Sequence, residues 1–152
     1  LGDVYKRQVD HSKYAHISLP ISDSWGVLMP EDSALCSQEY ISPADLYNVP
    51  LIVPNRSELQ MQLSAWLQRD LSLLQISATY NLIHTASLSV KNNLGFALVL
   101  NKLTYAEQAQ GLVFRPLIPS MEEKLCIAWK KYQTFSKATE LYKDKLTSML
   151  IK

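Results

Sequence analysis

Few residues of this 152-residue chain could do chemistry: three histidines, two cysteines, scattered serines and one adjacent pair of carboxylates. His11, His16 and His84 share no ligand spacing such as HxxxH, and none stands beside a cysteine, so each reads as a surface or hydrogen-bonded histidine. Cys36 and Cys126 lie far apart in apolar neighbourhoods without CxxC spacing, which fits buried thiols and not a disulfide framework or a zinc site. Ser33, Ser37, Ser57 and the other serines lack the Gly-x-Ser-x-Gly elbow of a hydrolase. Glu122 and Glu123 are neighbours in a short loop, point apart and read as solvated. Four glycines leave no phosphate-cradling loop. The expectation is a protein that is no enzyme and holds no metal or cofactor.

Binding has a better foothold. In open α/β sheets, ligands sit beyond the carboxyl ends of strands, where helix N-termini offer unpaired N–H groups. Three places fit. Pro54-Asn55-Arg56 follows a strand and precedes a helix, Thr79-Tyr80-Asn81 does the same, and Leu100-Asn101 ends the next strand. An arginine, a threonine hydroxyl, a tyrosine and amides could clasp a small anion, each helix dipole adding ~0.3–1 kcal/mol. The plainer reading stays open beside it: Ser57 and Asn81 as helix caps, Arg56 as a solvated cation.

The elements that must position these residues follow from pattern. Residues 17–20 and 25–29 read as two strands, the second closed by Pro30. Ser42, Pro43 and Asp45 mark a short helix start. Residues 51–53 are a buried strand. Ser57 and Gln60 have capping-box spacing, with Leu59, Leu63, Trp66 and Leu67 on one helical face. A strand over 74–78 precedes a helix over 82–94, capped by Asn81 and faced inward by Leu82, Ile83, Ala86, Val90 and Leu94, with Gly95 as its left-handed C-terminal cap. Strands over 96–100, 112–117 and 125–129 follow. Ser136 then caps a last helix with an amphipathic face of Ala138, Leu141, Tyr142, the Lys145 stem, Leu146 and Met149. Strands alternating with helices predict an α/β fold with a largely parallel sheet.

Composition agrees with a globular chain: 47% hydrophobic, 19% charged, formal net charge +1. No basic stripe argues for direct nucleic-acid contact. No apolar run approaches the ~20 residues of a membrane span, and the start lacks a signal peptide's apolar core, so a cytoplasmic setting fits. Residues 1–8 are similar to a translated sequencing-adaptor remnant and are set aside as non-native.

The order of short motifs resembles a known family. Trp25-Gly26-Val27-Leu28-Met29-Pro30-Glu31-Asp32-Ser33, then Ile41-Ser42-Pro43-Ala44-Asp45-Leu46 and Val49-Pro50-Leu51-Ile52, are similar to the segment of LysR-type effector domains that crosses from one lobe into the other. Thr79-Tyr80-Asn81-Leu82 followed by Val90 and Gly95-Phe96-Ala97-Leu98 resembles the family's next strand, helix and strand. Val113-Phe114-Arg115-Pro116-Leu117, Ile127-Ala128-Trp129 and Phe135-Ser136 look like its return and final helix.

That resemblance implies an α/β, periplasmic-binding-protein-like (type 2) fold of two lobes. The first would comprise residues 9–31 and 115–152 and be partial, and the second, residues 32–114, would be complete. It implies a small-molecule effector, with a carboxylate as one candidate, held between the lobes by Asn55, Arg56, Thr79, Tyr80, Asn81, Leu100 and Asn101. It further implies a homodimer or tetramer through the full-length protein, DNA contact only through an N-terminal domain outside this chain, and no membrane. The alternatives are a stand-alone solute-binding protein of the same fold serving a transporter and an α/β enzyme.

Overall fold

The two strand signals around Ser22 resolve into one long strand, because no Gly-Pro turn separates them. In the computed structural model, which describes residues 2–5, 12–101 and 111–150, β2 runs from Tyr14 to Pro30. Before it, β1 spans Gly2–Tyr5. The chain falls into two units, Leu1–Ser22 with Glu123–Lys152, and Asp23–Glu122. The sequence reading set the crossings at 31/32 and 114/115. The first crossing falls earlier, at 22/23, since residues 25–30 of β2 bond to strands of the second unit, and the second falls later, at 122/123.

In that second unit the chain continues through β3 (Leu51–Pro54), α1 (Ser57–Leu67), β4 (Ile76–Tyr80), α2 (Ile83–Lys91), β5 (Phe96–Leu100) and β6 (Leu112–Pro116). β4, β3 and β5 are parallel neighbours, with Pro54 beside Tyr80 and Ile52 beside both Ala78 and Ala97. β2 joins β5 antiparallel through Trp25–Leu100 and Val27–Leu98, and β6 joins β2 antiparallel through Gly26–Pro116 and Leu28–Phe114. The sheet is therefore mixed, not largely parallel: only the three strands linked by helices run together, as crossover connections require.

Alternation along the strands builds two apolar layers. Leu28, Ile52, Ala97 and Val99 face α2, whose Ala86 and Val90 are fully buried, and Phe114 packs on the same cluster. Val27, Leu51, Val53 and Leu98 point the other way, and α1, with Leu59, Leu63 and Leu67 buried, packs against β3. Each buried valine, leucine or isoleucine among them contributes ~1.5–3 kcal/mol by leaving water.

Several helix ends differ from expectation. Arg56, not Ser57, is the N-cap of α1, and the Gln60 side chain donates to the Pro54 carbonyl at 2.8 Å instead of closing a capping box. Leu82, not Asn81, is the N-cap of α2. That helix stops at Lys91, Asn93 taking the left-handed conformation (φ 57°), and Leu94 beyond its end is exposed, as is Leu82 at its N-cap. Gly95 has φ 150° and lies against the Pro50 carbonyl, a close approach and not a cap.

The Ser42 signal holds: the Asp45 carboxylate accepts from the Ser42 N–H at 2.8 Å and its hydroxyl at 2.5 Å, and from the Gln38 amide at 3.1 Å, around a 3₁₀ turn at Pro43–Leu46. The Ser42 hydroxyl, ahead of the other two bonds, holds this carboxyl below its ordinary value. A depressed pKa in the folded state adds stability above the unfolded value, and that stability fades as pH falls through the folded one. Asp45→Asn is expected to cost ~1 kcal/mol at pH 7. The gap between the two proteins should narrow below pH ~4, read from urea midpoints across pH.

In the first unit, β7 (Glu122–Lys130) lies between β1 and β2. Although the sequence reading set residues 1–8 aside, Gly2–Tyr5 pairs antiparallel with residues 125–128 of β7. The edge of a strand presents a row of unpaired N–H and C=O groups that any extended segment can satisfy. Cys126 is buried there with Ala128, Tyr14 packing on them. α3 (Lys137–Leu150) begins as expected, the Ser136 hydroxyl accepting from the Thr139 N–H at 3.3 Å, but buries no residue.

Candidate functional site

The parallel register of β3, β4 and β5 brings their carboxyl ends to one edge of the second unit's sheet. The Asn55 N–H donates to the Tyr80 carbonyl at 2.8 Å, so the turn after β3 is tied to the last residue of β4. α1 and α2 both start at this edge. Their N-cap residues, Arg56 and Leu82, have no side-chain acceptor to offer the first-turn amides. Glu58 sits in the first turn of α1 and offsets its dipole, whereas α2 carries no acid in its first turn. The start of α2 thus has no acid opposing its dipole, and at α1 the Arg56 cation stands against the Glu58 charge.

The expected site residues divide by burial. Asn55, Arg56, Thr79, Asn81 and Asn101 are exposed. Tyr80 is half-buried: its hydroxyl donates to the Leu98 carbonyl at 2.8 Å and its ring packs on the α2-facing core, which makes it an anchor of β4. Leu100 is 5% exposed and paired with Trp25, so its side chain belongs to the core. The structure therefore gathers the three segments along adjacent strands while turning two of their seven side chains inward.

His16 is half-buried and His84 exposed, and His11 lies outside the described residues. No group of three His, Cys, Asp or Glu could hold a metal among the described residues. No described helix is long and apolar enough to cross a membrane. Cys36 is only half-buried, its thiol donating to the Pro30 carbonyl at 3.2 Å. Burial pushes that thiol up, and the nearby Arg115 charge opposes the shift.

A family model described as the LysR substrate binding domain matches residues 4–150. The chain belongs to the LysR substrate-binding domain family. Its α/β fold is the periplasmic-binding-protein-like fold of that family, as the sequence resemblance implied. LysR substrate-binding domains are the effector-binding regulatory parts of transcription regulators, which disfavours the transporter-serving alternative.

Solved structures agree on the fold. HinK, a LysR family transcriptional regulator from Pseudomonas aeruginosa, is 20% identical with a TM-score of 0.74, over 97% of this chain and 52% of that one. The regulatory domain of CcmR from Synechocystis PCC6803, in complex with 2-PG, is 12% identical with a TM-score of 0.74, over 97% of this chain and 72% of that one. The reduced OxyR regulatory domain from Pseudomonas aeruginosa is 16% identical with a TM-score of 0.64, over 93% and 69%. This LysR-family chain thus spans about half the length of HinK. No curated protein matches it by sequence.

Proposed function

We propose that this domain senses a small-molecule effector for a LysR-type transcription regulator, and that the carboxyl ends of β3, β4 and β5 supply the second unit's share of the site. The observation that carries the reading is the meeting of three parallel strand ends with two helix starts whose N-caps lack side-chain acceptors. Asn55, Arg56, Thr79, Asn81 and Asn101 offer side chains there, while Tyr80 and Leu100 contribute through backbone and position. The acid-free start of α2 favours an anion, so a small carboxylate or aromatic acid is the proposed class. The chain performs no catalysis in this reading. Effector binding would favour one arrangement of a homodimer or tetramer over another, and DNA would be contacted by a separate N-terminal domain. The protein works in the cytoplasm, where such regulators meet DNA.

Arg56→Ala and Asn81→Ala test this. Against a panel of small carboxylates, each is expected to weaken the best binder by about tenfold, the worth of one charge-assisted contact. The thermal midpoint without ligand should stay unchanged, because both side chains are exposed, the Arg56 side chain makes no capping bond at the start of α1, and Asn81 is not the N-cap of α2. Loss of stability with unaltered affinity would make them structural and sink the reading.

A further inference from the structure

Arg115 of β6 spends its guanidinium on the backbone. Its Nε donates to the Gln38 carbonyl at 2.8 Å, one terminal nitrogen to the Cys36 carbonyl at 3.1 Å, and the other to the Phe114 carbonyl at 3.1 Å. A guanidinium carries five N–H bonds in one plane. Nε and its neighbouring terminal nitrogen form the lateral fork, which holds the Gln38 and Cys36 carbonyls at the end of the 3₁₀ turn Ala34–Ser37. The carbonyl of Phe114, the preceding residue, accepts from the other terminal nitrogen. One N–H on each terminal nitrogen is left over from these three bonds, and this pair is the end-on fork of the guanidinium.

Arg115 also lines a depression of about 420 Å³ with Cys36, Ser37, Gln38, Glu39, Tyr40 and Pro116. That volume is in the range of small-ligand pockets. Residues 26–28 of β2 pair with β6 on one side and with β5 on the other, so β2 separates this depression from the carboxyl ends of β3, β4 and β5.

We propose that this end-on fork anchors a second ligand site, distinct from the strand-end site, for a small monocarboxylate with an apolar or aromatic body. Two coplanar carboxylate oxygens match two parallel N–H donors, and three backbone bonds hold the guanidinium in place before any ligand arrives. Tyr40, 46% exposed, offers the body an aromatic wall. Glu39 on the lining opposes a second negative charge, which selects monoanions.

Sodium benzoate titrated into the whole ¹⁵N-labelled chain, against sodium chloride at matched ionic strength, tests the proposal. Saturable shifts are expected at Arg115 Nε and at the Gln38 and Tyr40 amides. Arg115→Lys keeps the charge and loses the fork, and should weaken binding about tenfold. Glu39→Gln should tighten it about threefold. Should Arg115→Lys fail to fold, the wild-type shifts and Glu39→Gln still decide. Shifts that never saturate, or that chloride reproduces, mean an adventitious ion only and overturn the site. Saturable shifts confined to Asn55, Asn81 and Asn101 would support the strand-end reading and overturn this one.

Discussion

Gly26→Ala is expected to lower the stability of the second unit by ~3 kcal/mol, at the upper end of overpacking costs. A Cβ at this position would overlap two atoms of the Phe114 ring and the Arg115 carbonyl oxygen. The ring could swing away, at the expense of its packing on Leu28 and Leu112. The carbonyl cannot, since β6 is fixed to β2 through the Gly26–Pro116 and Val27–Arg115 pairs. Phe114→Ala in the same chain should therefore recover only part of the loss, the coupling expected of touching groups. Urea unfolding of the four proteins measures it. A loss under ~1 kcal/mol for Gly26→Ala would mean that β6 is loosely held and its close approach to β2 unimportant.

How much of this was legible in the sequence depends on which interaction decides each feature. Residues 51–53 and 96–100 read correctly as buried strands, because an apolar run flanked by prolines or a glycine leaves burial on both faces as the cheap solution. Helix boundaries were less legible. Ser57 and Gln60 have the right spacing for a capping box, yet Gln60 found the Pro54 carbonyl, a partner fixed only once β3 and α1 are packed together. Likewise Asn93 and Gly95 both tolerate positive φ, and spacing alone does not say which ends the helix. Local propensity sets the candidates and tertiary contact chooses among them. Strand direction was overcalled for the same reason: alternating helices imply parallel neighbours, but β2 and β6 reach the sheet without a crossover helix.

The candidate site was legible at the level of segments and not of side chains. Strand end followed by helix start picks out 54–56, 79–81 and 100–101 because connectivity in an α/β unit puts those ends at one edge. Which side chains face outward depends on the phase of each strand, and Tyr80 reads equally well either way until its hydroxyl is seen on the Leu98 carbonyl. Arg115 did carry a signal: a cation between Phe114 and Pro116 in an apolar strand must have its guanidinium satisfied by something. Its partners, carbonyls almost eighty positions earlier, were beyond any local pattern.

Leu98→Ala is expected to cost ~3–4 kcal/mol, toward the upper half of large-to-small losses at buried leucines. Leu98 is completely buried in β5, which has β2 on one side and β3 on the other. The loss has two parts: the transfer free energy of the removed carbons, and a cavity whose price rises with the volume that fails to collapse. Collapse is hindered here. Val27, directly opposite, is on a strand bonded to both β5 and β6, and the Leu98 carbonyl is pinned by the Tyr80 hydroxyl, so the backbone cannot follow the shortened side chain. The urea midpoint should fall with an unchanged slope, because the same surface is exposed on unfolding. The amide resonances of Asn55 and Asn101 should scarcely move, since β5 keeps its ladder on both sides. A loss near ~1 kcal/mol would show that β5 shifts to fill the void. If it did, Leu100 and Asn101 would shift with it, and the strand ends would not be the rigid platform that binding a small ligand there requires.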